Sequence, residues 1–412
     1  MTTIEPDSED GSARVPWRSS TVQVVLASTL LAPLGVPLVA PTLPVIRDTF
    51  ALTDAQASLL ISTYFVAGIV LSPFIGMVAD RIGRKRVLVS SLLVFGISGV
   101  PLVLAPNFET VLAVRVIQGV AAAGIFITTV TIVGDAFDGT QRNAVLGVNN
   151  AVLSAGAAGF PVLGGALVAL AWNAPFAAYL VGLPVGLVAA RYLEEPDGER
   201  ETAGVAYLRG AATALAGTQA AVLYGAAFMT EVLLFGPVLT VLPFLLTASY
   251  DLSPAAIGLI LAAGEASSVA VSAMNGRFAK YTSNHGLIAL GFACNGVGLL
   301  GMWLAPSPLF VGMATLAVGA GLGLSMPAVD AAISNVVSAR HRAGALSIRN
   351  STTFLGRSVG PVLFAGLAVT TDYHTLLLAA GVVALALGPV AVLAPGRDGP
   401  DRPESGEVPT EA

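Results

Sequence analysis

Residues 76–86 read Gly-Met-Val-Ala-Asp-Arg-Ile-Gly-Arg-Lys-Arg and connect two apolar runs, 59–78 and 87–104. Each run approaches the length of about 20 residues that an α-helix needs to cross a bilayer. A basic cluster between two such runs is typical of a loop held at the membrane surface. The stretch therefore predicts two membrane-spanning helices joined by a short charged turn.

The rest of the chain has a composition that fits the same environment. Of its 412 residues, 55% are hydrophobic and only 11% are charged, which is more apolar surface than a soluble core needs. We predict twelve spans, near 22–44, 55–78, 87–104, 109–133, 144–168, 175–191, 219–246, 254–275, 286–304, 309–333, 344–369 and 375–394. The first run is too long for a signal-peptide core and is expected to remain in the protein.

Basic residues are distributed unequally between the loops on the two sides of this bundle. The odd-numbered loops hold Arg47, whereas the even-numbered loops and both tails hold the other loop arginines and lysines. Basic loops stay on the cytoplasmic side of membranes. We therefore expect a multi-pass protein of the cell membrane with both termini in the cytoplasm.

The chain also matches itself at a constant offset of 200 residues. The matches include Gly119 with Gly319, Arg142 with Arg342, Asn150 with Asn350, and Pro161-Val162-Leu163 with Pro361-Val362-Leu363. One register shared by many positions indicates an internal repeat. Because six spans per half is an even number, the halves are parallel repeats, and a substrate site is expected between them near the bilayer midplane.

Together these patterns predict an all-α integral membrane protein of twelve helices in two six-helix repeats. The predicted divisions are a disordered cytoplasmic tail at 1–20, an N-terminal bundle at 21–193, a cytoplasmic linker at 194–215, a C-terminal bundle at 216–394 and a disordered tail at 395–412. Cys294 is the only cysteine, and the sequence contains no metal-ligand cluster, Ser-His-Asp set or phosphate loop. We expect no enzyme activity, metal, cofactor or nucleic-acid partner, and an ion gradient as the energy source.

Four segments carry a resemblance to a known family. Residues 76–86 resemble the signature loop of the major facilitator superfamily, and Arg115-Val116-Ile117-Gln118-Gly119 is similar to its Arg-x-x-Gln-Gly motif. Leu34-Gly35 with 41–44 (Pro-Thr-Leu-Pro), and 156–165 (Gly-Ala-Ala-Gly-Phe-Pro-Val-Leu-Gly-Gly), are similar to patterns of twelve-span drug/proton antiporters. Phe160 stands where the fifth-span pattern has a glycine. The resemblance implies the major facilitator fold over about residues 20–394.

The resemblance implies two moving parts. Asp80 and Arg84 would form a conformational latch with Asp135, in a set of Gly76, Asp80, Arg81, Gly83, Arg84 and Asp135. We expect Gly76 to permit close helix approach and Gly83 a tight turn; the alternative is that these charges only anchor the topology. Gly156, Pro161, Gly164 and Gly165 would bend the fifth span and seal it against leaks, or serve ordinary small-residue packing.

Five charged residues lie in the interior of predicted spans, more than one turn from either end: Arg115, Glu231, Glu265, Arg349 and Arg357. Each costs at least about 2.5 to 3.5 kcal/mol in the bilayer interior, so each needs a reason. Our hypothesis is that Glu231 or Glu265 couples proton entry to substrate exit, with Arg349 or Arg357 as charge partner; the alternative is a static ion pair. The family motif implies proton transfer for Arg115, whereas the residues alone equally suit a hydrogen-bond anchor with Gln118.

Candidate residues for the substrate cavity lie on the predicted central spans and would give it polar groups and an apolar wall: Tyr64, Phe65, Gln118, Phe126, Asn150, Met229, Phe235 and Phe354. The resemblance implies a secondary transporter, in this case a proton-coupled exporter of small hydrophobic or amphipathic compounds such as drugs. We expect it to act as a monomer among membrane lipids. Uptake of a metabolite by symport or uniport, and a membrane sensor, are the alternatives.

Overall fold

The computed structural model describes residues 15–195, 217–338 and 342–393. Most of the predicted linker at 194–215 and of the tails at 1–20 and 395–412 lies outside these ranges. The described residues form twelve long helices, so the predicted all-helical fold is confirmed. We number them α1 (Ser20–Thr49), α2 (Asp54–Ile82), α3 (Arg84–Val103), α4 (Phe108–Ala136), α5 (Gly139–Val168), α6 (Ala174–Tyr192), α7 (Thr218–Tyr250), α8 (Pro254–Phe278), α9 (Asn284–Trp303), α10 (Pro308–Val336), α11 (Arg342–Leu367) and α12 (Tyr373–Leu393).

Eleven of these helices are long and apolar enough to cross a membrane by length and composition. The twelfth, α11, is long enough but carries more polar side chains, including Arg349 and Arg357. An even number of crossings puts the start of α1 and the end of α12 on one side, which we call the terminal face. The α1–α2 loop lies on the other side, which we call the opposite face.

Two helices have an irregular segment that contains a proline. The helix α1 is interrupted after Leu31 by a 3₁₀ turn over Ala32–Gly35 and continues as a regular helix only from Leu43. The helix α7 widens into a π-helical segment at Leu234–Val241, which contains Pro237. A proline lacks an amide hydrogen, so the ladder of helical hydrogen bonds breaks there.

The internal repeat is visible as a helix crossing built twice. A Cβ atom at Gly119 on α4 would overlap the carbonyl oxygen of Tyr64 on α2, and one at Gly319 on α10 would overlap the carbonyl oxygen of Gly264 on α8. Gly119 and Gly319 are 200 residues apart, and so are Tyr64 and Gly264. Small residues let membrane helices approach this closely, so the glycine pair fixes the same crossing in both halves.

Candidate functional site

The centre of the bundle contains an ion pair between α11 and α7. Arg357 donates through Nε to Oε2 of Glu231 at 3.0 Å and through Nη2 to Oε1 at 2.8 Å, a two-pronged arrangement. Gly356 makes this approach possible, because a Cβ atom there would lie 2.7 Å from the carbonyl oxygen of Phe228. Glu231 is almost fully buried, so its charge is balanced by Arg357 rather than by water.

Three phenylalanine rings surround the Arg357 guanidinium. The rings of Phe65, Phe235 and Phe354 have their centroids 5.5, 5.4 and 5.7 Å from its Cζ atom. Phe65 belongs to the N-terminal half, whereas the other two rings and the ion pair belong to the C-terminal half. These three cavity candidates therefore meet where the two halves join, around a charge that their faces attract.

Glu265 on α8 is a carboxylate of a different kind. It makes no hydrogen bond or ion pair with any described residue, and it is partly exposed. Its electrostatic neighbours are Glu231 and Arg357. Glu265 also borders a cavity of about 10 Å³, together with Gly264 and Thr315. That volume is close to the ~10–15 Å³ that holds one water molecule.

Arg349 binds neither Glu231 nor Glu265. Of the two arginines expected as charge partner of a central glutamate, only Arg357 has that role in this structure. The Nη2 atom of Arg349 donates to Oδ2 of Asp330 on α10 at 2.9 Å, and the Nε atom of Arg349 lies 2.7 Å from Oδ1. Sequence reasoning missed Asp330. The predicted span 309–333 placed it within one turn of the membrane edge, whereas α10 extends to Val336.

Arg115 on α4 is fully buried and bonded only to neutral groups. It donates to the carbonyl oxygens of Gly35 and Leu60, to Gln118 and to the Tyr179 hydroxyl. The Gly35 carbonyl belongs to the interrupted part of α1. Arg115 thus ties α4 to α1, α2 and α6, which favours the hydrogen-bond anchor over the proton-transfer interpretation.

Two cavity candidates belong to this anchor instead of a cavity wall. The Arg115 guanidinium lies over the Tyr64 ring, with the Arg115 Cζ atom 4.4 Å from the centroid of that ring. Gln118 is fully buried beside them. Phe126 and Met229 are half-buried, and Asn150 is exposed. The neighbouring Asn149 is buried and accepts a hydrogen bond from Thr29 at 2.6 Å, so it binds α5 to α1.

The charged loop between α2 and α3 is held by Arg84. Its guanidinium lies 2.9 Å from Asp80 and 2.8 Å from Asp135, which brings together the three members of the implied latch. Gly83 has φ of +104°, a turn that favours glycine. Gly76 has no neighbouring atom within 4 Å of a Cβ position, so the close helix approach expected there is wrong for this conformation.

Three glycines of α5, Gly156, Gly164 and Gly165, lie against other helices in the part of the bundle nearer the opposite face. Gly156 contacts Pro33 on α1, and Gly164 contacts the carbonyl group of Leu38, which also lies on α1. A Cβ atom at Gly165 would overlap the carbonyl of Pro254 on α8. These contacts explain why the segment needs small residues.

Contact between α5 and α8 is reciprocal. A Cβ atom at Gly258 on α8 would overlap the carbonyl oxygen of Pro161 on α5. Each helix thus offers a glycine to a proline carbonyl of the other. Because α5 and α8 belong to different halves, this pair brings the two halves into backbone contact towards the opposite face.

A polar cluster that sequence reasoning missed lies on the opposite face itself. Asp54 accepts a hydrogen bond from Arg47 Nη1 at 2.9 Å and another from the Tyr373 hydroxyl at the start of α12. The Arg47 guanidinium also lies 5.5 Å from the ring centroid of Phe244 on α7. The cluster joins α1 and α2 to α7 and α12, so this face is closed by side chains of both halves.

Comparison with known proteins agrees with this architecture. The chain belongs to the Major Facilitator Superfamily, whose family model matches residues 25–308 and 220–411. It is 27% identical over 370 residues to the bacillibactin exporter of Bacillus subtilis (strain 168), and the match covers 85% of this chain and 90% of that protein. It is 26% identical over 355 residues to the quinolone resistance protein NorA of Staphylococcus aureus (strain MRSA252), with the same two coverages.

Solved structures share the fold at low sequence identity. A bacterial homologue of the human lysosomal transporter Spinster, in an inward-facing and occupied conformation, superposes with a TM-score of 0.72 at 17% identity, over 92% of this chain and 95% of that one. A POT family transporter in complex with 5-aminolevulinic acid gives 0.75 at 12%, over 90% and 94%. Its membership of the family makes the protein a multi-pass membrane transporter and not an enzyme, and the solved structures agree with the fold.

Proposed function

We propose that the protein exports small hydrophobic or amphipathic compounds in exchange for protons. Glu265 carries this proposal. It is an intramembrane carboxylate that makes no hydrogen bond or ion pair with the described residues, whereas Glu231 is neutralised by Arg357. An unpaired charge inside a membrane is costly, and binding a proton removes that cost. Glu265 is the site that gains and loses a proton during transport.

The paired charges then form the switch that responds to this proton. Arg357 lies in the electrostatic field of both Glu231 and Glu265. When Glu265 is neutral, Arg357 is attracted to Glu231 alone; when Glu265 is charged, the two carboxylates compete for it. Phe65 of the other half contacts the same guanidinium, so a change at Arg357 acts on the joint between the halves.

The surroundings of Arg357 support the substrate class. Three phenylalanine rings at the joint between the halves suit an apolar or aromatic compound better than a sugar. Two relatives of similar coverage are named as an exporter and as a quinolone resistance protein. We infer the direction of transport and the drug-like substrate class from these two observations together.

The decisive experiment separates proton coupling from substrate movement. Purified protein in liposomes is tested with a panel of dyes and drugs, with and without an imposed pH gradient. We expect Glu265→Gln to keep substrate exchange but to lose its acceleration by the gradient. Glu231→Gln should lose both, because it leaves Arg357 unpaired. Asp330→Asn is the control. It also removes one carboxylate from an ion pair with an arginine, but that pair lies further from the centre of the bundle.

Two results would count against the proposal. Gradient-driven transport by Glu265→Gln at the rate of the unmodified protein would remove Glu265 as the proton site. Accumulation of a substrate in the same direction as the protons would favour uptake by symport.

We also propose that the terminal face is cytoplasmic, because Arg81, Lys85 and Arg86 lie there. The test is a pair of reporter fusions, one at the C-terminus and one in the loop at 369–372. Alkaline phosphatase should be active only in the loop fusion. Activity only at the C-terminus would reverse the assignment.

A further inference from the structure

A cleft of about 690 Å³ lies at the terminal face, away from the central charges. It forms where α2 ends, α3 begins and α6 ends. Its rim carries Arg81, Lys85 and Arg86, and its wall carries Ile82, Val89 and Leu93. A basic rim above an apolar wall is the arrangement that an amphiphile with a negative head fits.

The cations of the rim are available for a ligand. Positions 81 to 86 hold four basic residues. Arg84 is the one of them that forms the ion pairs of the latch, and it is buried against Asp80 and Asp135. The side chains of Arg81, Lys85 and Arg86 make no hydrogen bond or ion pair with residues that the structure describes. Three positive charges therefore line the cleft, and no carboxylate of the described residues lies in contact with them.

Among the described residues that line the cleft, the acidic one is Glu195, and both of its carboxylate oxygens accept hydrogen bonds. Its two carboxylate oxygens accept the backbone N–H groups of Arg84 at 2.5 Å and Lys85 at 3.1 Å. These are first-turn amides of α3, which have no partner within the helix, so Glu195 caps the helix from a distant part of the chain. Its charge is directed at the helix end, and the rim stays positive.

The depth of the cleft matches a membrane lipid. Eight residues of α3 separate Lys85 from Leu93, a distance of about 12 Å along the helix axis at 1.5 Å per residue. A headgroup layer is roughly 5–8 Å thick on each side of the hydrocarbon. A ligand bound to the basic rim thus reaches acyl-chain depth where Val89 and Leu93 line the wall.

We propose that this cleft binds a phospholipid with a net negative headgroup. Arg81, Lys85 and Arg86 bind the headgroup, and Ile82, Val89 and Leu93 contact an acyl chain. A free phosphate would satisfy the rim but leave the apolar wall unused. The bound lipid would touch α2, α3 and the end of α6, and so would hold together the helix ends around Arg84. This inference does not depend on the proposed proton coupling.

The test uses the purified full chain in neutral detergent, with bound lipid counted by native mass spectrometry. Short-chain phosphatidylglycerol is titrated against phosphatidylcholine of the same chain length. We expect preference for phosphatidylglycerol, and at least about a ten-fold weaker affinity for it in the triple variant Arg81→Gln, Lys85→Gln, Arg86→Gln. The matched control removes Arg277 and Lys280, two exposed cations near the end of α8, and should leave the affinity unchanged.

Separate arms identify the ligand. Inorganic phosphate at millimolar concentration should not displace phosphatidylglycerol; full displacement would mean a free-anion site and overturn the lipid assignment. If the triple variant does not fold, Lys85→Gln alone replaces it, with an intermediate loss expected. Equal phosphatidylglycerol binding by the rim variant and the α8 control, or no preference over phosphatidylcholine, would overturn the proposal.

Discussion

Replacing Tyr373 by phenylalanine should weaken closure of the opposite face. The Tyr373 hydroxyl donates to Asp54, and this hydrogen bond joins the start of α12 to the start of α2. The two helices belong to different halves, so the bond exists only while this face is closed. Phenylalanine removes the donor and keeps the ring.

The size of the effect follows from the bond and its surroundings. A hydrogen bond to a charged group contributes about 1.5–3 kcal/mol. The Asp54 side chain is 20% exposed and keeps Arg47 as a second partner, so the lower limit applies. A loss of about 1.5 kcal/mol changes the ratio of open to closed molecules roughly ten-fold.

A thiol-labelling rate reports this ratio. Cys294 is the only cysteine and is replaced by serine, and Ala255→Cys is introduced as the reporter. The Cα atom of Ala255 lies 2.8 Å from the Cβ position at Gly165 and the residue is half-buried, so contact between α5 and α8 restricts access to the reporter in the closed state. Tyr373→Phe should raise the rate of labelling by a bulky maleimide about ten-fold.

Tyr250→Phe is the matched control. Tyr250 lies near the same face, and its hydroxyl donates to the carbonyl oxygen of Ala305 at 2.9 Å, but both residues belong to the C-terminal half. Its removal should leave the labelling rate unchanged. Equal labelling rates in the two phenylalanine variants would refute the reasoning that Tyr373 holds the halves together.

Two further predictions concern stability of the purified protein in detergent. Arg115→Met should lower the melting temperature strongly, because it removes the hydrogen bonds of a charged group to the buried carbonyls of Gly35 on α1 and Leu60 on α2, at about 1.5–3 kcal/mol each. Arg142→Met removes an exposed ion pair and should change little. Similar melting temperatures of the two variants would contradict the anchor role. Gly119→Ala and Gly319→Ala should each destabilise their half, because the added methyl overlaps a carbonyl oxygen, and Gly147→Ala, with open space around it, should not. Tolerance of alanine at either crossing would contradict the close approach.

The fold could be predicted because its signals are long and repeated. Bilayer-length apolar runs fix the number of helices, and the 200-residue offset fixes their grouping. The pairing of charges could not be predicted, because Arg349 and Arg357 lie on one helix and either could have faced α7. The rotation of α11 about its axis determines which arginine faces α7. Gly356 contacts α7, and this contact places the neighbouring Arg357 beside Glu231.

Contacts between the two halves could not be predicted from the sequence either. Gly165 and Gly258 lie on different halves, and nothing in either segment identifies the partner. In the sequence, Arg47 contributes only to the count of basic loop residues, and nothing links it to Asp54 or Tyr373. Only the three-dimensional structure brings residues 54 and 373 together.

The repeat also explains why the proposed proton site lies in the C-terminal half. In the N-terminal half, Arg115 and Tyr64 fill the space beside the α2–α4 crossing. The corresponding positions in the C-terminal half are Thr315 and Gly264, which are much smaller, and a cavity of about 10 Å³ remains there beside Glu265. A proton needs a polar route to a carboxylate inside the membrane, and a filled crossing offers none. The small pair Thr315 and Gly264 therefore leaves room for about one water molecule next to the acid, where the N-terminal half has Arg115 and Tyr64.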